Sequence, residues 1–180
     1  MRAPLLIALI ALTAQAATAQ TSPHHGHAPG DAGPREPGQA AFAAIAEIVA
    51  RLEAEPTTDW SRVDLAALRE HLVDMDEVML RAVARVEPLP GGIVAEVTGD
   101  SRTRDAIRRM VPAHAAELDR MAGWDARAEP SPEGVRLVVT GDDVASADRI
   151  RGLGFFGLMA TGGHHQAHHL AIARGERPHP

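Results

Sequence analysis

Cysteine is missing from all 180 residues, and so is lysine. Without thiols the fold must hold with no disulfide. A thiolate metal site, a cysteine nucleophile and haem attached through a Cys-x-x-Cys-His run are all excluded. Without lysine there is no Schiff-base chemistry and no Walker-type phosphate loop. Aromatic residues are scarce, and the formal net charge is −6 with histidine neutral. No basic stripe is present, so nucleic acid is not an expected partner. Gly-x-Ser-x-Gly and His-Glu-x-x-His runs are absent, and no serine has a triad context.

Long hydrophobic runs are also lacking. The run Leu5 to Leu12 is too short to span a bilayer, which takes about 20 residues. It follows a single charge, Arg2, and is followed by the small residues Ala17-Thr18-Ala19. This pattern predicts a cleavable secretory signal peptide over residues 1–19. The protein is therefore expected in the periplasm, with no stable membrane anchor after cleavage. Residues 20–38 hold His24, His25 and His27 among prolines and glycines. They read as a flexible arm, either metal-gathering or merely polar. Residues 39–176 read as a single α+β domain, followed by a tail at 177–180.

What the chain does have is periodicity. Residues 39–54, 64–81, 101–122 and 144–174 carry apolar residues at helical steps of three and four. Pro112 is expected to kink the third of these helices or move its start. Glycines at 152, 154 and 157 either let another element approach the last one or split it.

Residues 84–100 (ARVEPLPGGIVAEVTGD) recur as 126–142 (ARAEPSPEGVRLVVTGD), at an offset of 42 residues with ten identities. Each copy predicts a β-hairpin with a Pro/Gly turn, and Thr-Gly-Asp marks the start of the next helix. With the helix before each hairpin, the repeats span about 65–100 and 107–142. The expected fold is two helix–hairpin repeats making a small, four-stranded antiparallel sheet. Helices pack on one face, and a histidine-rich C-terminal helix closes the chain.

Histidine is the residue in excess, at ten copies. His71 and His114 interrupt the apolar stripes of their helices. Met75 stands one turn after His71, and Met110 one turn before His114. The last helix carries His164, His165, His168 and His169. His164/His168 and His165/His169 are each i,i+4 pairs, a spacing at which two imidazoles can chelate one ion. The stripe from Ile150 to Ile172 turns His164 and His168 inward and leaves His165 and His169 nearer the surface.

Imidazole with thioether and no thiolate favours copper, with zinc next. Haem with a histidine axial ligand is a further candidate. The predicted metal set is His71, His114, His164, His165, His168 and His169, with Met75 and Met110. Three functional classes fit: a periplasmic metal-binding protein, with a protein partner as a further candidate; a metal- or haem-dependent enzyme, with Glu70 or Glu117 beside the site; and a structural or partner-binding protein with a pH-responsive histidine cluster. The first is the expectation carried forward.

Overall fold

The computed structural model of the chain describes residues 40–162 and 165–176. The expected signal peptide, the arm with His24, His25 and His27, residue His164 and the tail at 177–180 lie outside the described residues. The elements, in order, are α1 (Ala40–Ala54), α2 (Leu65–Arg81), β1 (Val83–Leu89), β2 (Gly92–Thr98), α3 (Ser101–Asp119), β3 (Trp124–Ser131), β4 (Gly134–Gly141), α4 (Val144–Met159) and α5 (His165–Ala173).

The fold is α+β, with a four-stranded antiparallel sheet in the order β1-β2-β4-β3 and helices packed on it. Strand alternation sends Ile93, Ala95, Val97 and Val135, Leu137, Val139 to one face. There they join Ile107, Val111 and Leu118 of α3 and Ile150, Phe155 and Leu158 of α4 in the main core. Burying each such aliphatic side chain contributes roughly 1.5–3 kcal/mol. The other face crosses the strands as Arg85, Glu96, Arg136 and Glu129, alternating in sign. Opposite charges facing each other across strands favour this register.

The two hairpins meet about a local pseudo-dyad. Ala95 pairs with Leu137, 42 residues further on, at the middle of the β2–β4 ladder. Gly92 and Gly134 end the two strands that meet there, and a methyl on either would collide with a backbone carbonyl, that of Val139 or Val97. Asp100 caps α3 by accepting from the Thr103 N–H at 3.0 Å, and Asp143 caps α4 by accepting from Ser146 at 2.7 Å. Asp143 lies 43 residues beyond Asp100, so one residue is inserted at the second helix start. Each hairpin turn is held by the helix that follows the other hairpin. Arg151 of α4 donates to Leu89 O at 2.7 Å and also to Pro90 O. Arg108 of α3 donates to Pro132 O at 3.3 Å.

Three expectations change or are resolved. Helix α3 runs through Pro112 from its start at Ser101, so the proline does not move that start. α2 packs chiefly on α3, and with α1 and α5 it forms a second apolar cluster built on Ile48, Leu52, Leu68, Leu72 and Ile172. The His71 helix is therefore not a sheet-covering counterpart of the His114 helix. The span 144–174 is broken, as one of the two roles read for its glycines has it, and a second break further on separates α4 from α5. Gly154 departs from helical geometry with φ 55°, α4 ends at Met159, and Gly162 takes φ 104° before α5 begins. Positive φ is cheap for glycine and costly for other residues, which is why the break falls there. Among the described residues, no helix is long and apolar enough to cross a membrane.

Candidate metal centre

Three helices bring the histidines together. α2 supplies His71 and, one turn later, Met75. α3 supplies Met110, His114 and Glu117, at steps of four and three. α5 supplies His165, His168 and His169. Such spacings place each group on one helix face.

The ring of His71 lies 4.7 Å from that of His168 and 5.4 Å from that of His169, centroid to centroid. His165 lies 6.4 Å from His169, and it stacks on His114 at 5.7 Å with the planes 11° apart. Two imidazoles that share a tetrahedral ion through bonds of about 2.0 Å have centroids about 5 Å apart. The observed separations bracket that value.

His114 and His169 also meet groups other than imidazole. His114 is 4% exposed, and its Nε2 lies 2.8 Å from the carbonyl oxygen of Leu158. A carbonyl only accepts, so Nε2 carries the proton and, in the neutral ring, Nδ1 keeps the lone pair. His169 is 8% exposed, with its Nε2 3.4 Å from the sulfur of Met75.

Between the rings is a cavity of about 20 Å³, lined by His71, Met110, His114, Glu117, His165 and His168. One water-sized particle needs about 10–15 Å³. A much larger groove, about 1020 Å³, runs between α2 and α3 and shares His71, Met110, Ala113 and Glu117 with the cavity. Its rim is knit by ion pairs. Asp74, itself buried, receives both Nε and Nη2 of Arg109 at 2.8 and 2.9 Å. Hydrogen bonding to Asp74 raises the already high pKa of Arg109. Arg102 lies 3.6 Å from Glu70 and 3.9 Å from Asp74, and Arg120 pairs with Glu117.

Of the predicted set, His71, His114, His165, His168, His169, Met75 and Met110 converge, while His164 is outside the described residues. The expected facing of α5 is corrected. His169 is buried and His165 half-buried against His114, whereas both were expected nearer the surface. The break after Met159 resets the helical phase, so a stripe drawn continuously from Ile150 does not apply to α5. Sequence reasoning missed the Leu158 carbonyl, which has no signature because every residue carries one. It also missed the clamp of Asp74 on Arg109; the acidic residue inside an amphipathic stripe is its only trace.

Among the described residues, no three His, Cys, Asp or Glu side chains already stand in a metal-closing arrangement. Comparisons with protein families, with curated proteins and with solved structures find no match for this chain.

Proposed function

We propose that this chain is an exported, periplasmic metal-binding protein that holds copper or zinc among the histidines of α2, α3 and α5. The observation that carries this reading is the convergence of imidazoles from three helices: His71, His114, His165 and His168 line a cavity of about 20 Å³, and the His169 ring lies against those of His71 and His165. The bond from His114 to a backbone carbonyl supports it. Ligating histidines commonly donate their other ring N–H in this way, which fixes tautomer and orientation. The leader-like residues 1–19 support export. With no cysteine, the donors are confined to imidazole, thioether and carboxylate.

A second reading, a metal-dependent enzyme, is favoured by one observation. The groove of about 1020 Å³ shares His71 and Glu117 with the cavity, so a substrate in it would sit beside a bound ion and a carboxylate. A carboxylate near an open metal position is what metal-assisted hydrolysis uses.

The test is metal analysis of the untagged chain recovered from the periplasm of an expressing host. The expected result is stoichiometric copper or zinc, lost in a His165→Ala/His168→Ala/His169→Ala variant that stays folded. A metal-free wild-type chain, undiminished metal in the variant, or a Soret band from haem would overturn the proposal.

A further inference from the structure

Building on the metal-binding reading, we infer that the cluster contains two electrostatically different subsites. The one at His169 and Met75 is selective for Cu(I). The His169 nitrogen and the Met75 sulfur stand 3.4 Å apart. Two donors bonded to one ion at about 2.0 and 2.3 Å stand about 3.5 Å apart at a tetrahedral angle and about 3.7 Å apart at the trigonal angle of a three-coordinate ion. The pair is thus spaced to share an ion with little movement. His71 approaches the same place from α2, its ring 5.4 Å from that of His169.

Every donor in this subsite is neutral. Met75 packs against the apolar cluster built on Leu68, Leu72 and Ile172, and His169 is 8% exposed. Of the carboxylates beside these donors in sequence, Asp74 is held by Arg109, Glu70 pairs with Arg69 and Arg102, and Asp76 is exposed. The cost of burying an ion rises with the square of its charge. Neutral donors in an apolar shell therefore discriminate against divalent ions and for a monovalent one. Thioether sulfur, being soft, selects Cu(I) further. Cu(I) also accepts two or three ligands, the number available here. The neighbouring cavity, which His71 also lines, differs: Glu117, whose partner Arg120 is exposed, stands there with His114 and His165. A carboxylate offsets a second positive charge, so that subsite suits a divalent ion such as zinc. α5 serves both, presenting His169 to one and His165 to the other.

The experiment compares the full wild-type chain with Met75→Leu and Met110→Leu variants, which nearly conserve volume. Cu(I) affinity is measured against a chromophoric Cu(I) chelator, and Zn(II) affinity against a zinc chelator. Copper X-ray absorption reports the ligand shell. In the wild type a sulfur neighbour is expected at about 2.3 Å. Met75→Leu should remove it and weaken Cu(I) binding about tenfold or more, with Zn(II) binding changed less than about twofold. Met110→Leu should keep the sulfur. Absence of sulfur from the wild-type copper shell, or equal losses of both metals in Met75→Leu, overturns the Cu(I) assignment and leaves metal binding intact. Failure of the wild type to bind either metal overturns both. The wild-type spectrum stands whether or not the variants fold.

Discussion

His114 donates its Nε2 proton to the carbonyl of Leu158 at 2.8 Å, tying α3 to the end of α4, while its ring stacks on that of His165. A neutral His114 in the metal-free protein is therefore expected as the Nε2–H tautomer. Two-bond proton–nitrogen correlation spectra of the ring distinguish the tautomers. An Nδ1–H ring would contradict the geometry and remove the Nδ1 lone pair from the ligand set.

Asp74 and Arg109 test how far the groove rim holds the two helices together. Removing Arg109 leaves a buried carboxylate with Arg102, 3.9 Å away, as its remaining ion-pair partner among the described residues. Arg109→Ala should cost about 1–3 kcal/mol, the range for leaving a buried polar group unsatisfied, and the low end is expected because Arg109 is itself more than half exposed. The double variant Asp74→Ala/Arg109→Ala should cost less than the sum of the singles. Urea denaturation of the four proteins measures this, and strictly additive losses would count against a direct pair.

Acid should loosen the starts of α3 and α4. Hydrogen bonds from the backbone N–H and then the side chain of Thr103 hold the Asp100 carboxyl below its ordinary range, and Ser146 does the same for Asp143. A carboxyl whose pKa is lower in the folded state stabilises the fold above the unfolded value. That stabilisation is lost as pH falls through the folded value. Asparagine caps a helix about as well as aspartate and does not titrate. An Asp100→Asn/Asp143→Asn variant should therefore show a shallower fall in melting temperature below about pH 4. Parallel curves for variant and wild type would refute the assignment.

Gly92 and Gly134 mark where β2 and β4 approach too closely for any side chain. Gly92→Ala and Gly134→Ala should each destabilise by about 1–3 kcal/mol or more, as overpacked cores do. Thermal unfolding is the measurement. A neutral outcome at both positions would mean the strands can part without cost.

The hairpins were legible because alternation and turn chemistry are local. Val135, Leu137 and Val139 advertise a buried face, and Pro132 a turn. The pairing of β2 with β4 was less visible, since it depends on which strand edges meet. The histidines were legible by type and spacing. Their facing was not, because it hinged on a helix break. Gly154 hinted at a break, but not at the one before α5, and the phase of α5 depends on its packing with α2. The Met75–His169 contact bridges 94 positions and leaves no local trace.

The reciprocal grip of Arg108 and Arg151 on each other's hairpin turns makes the two halves interlocked. Severing the chain between Arg120 and Trp124 would strip both turns of their arginines at once. It would also divide the imidazoles, with His71 and His114 on one fragment and His165, His168 and His169 on the other. Neither fragment holds a complete site, so recovered metal affinity on mixing them would report reassembly of the whole molecule.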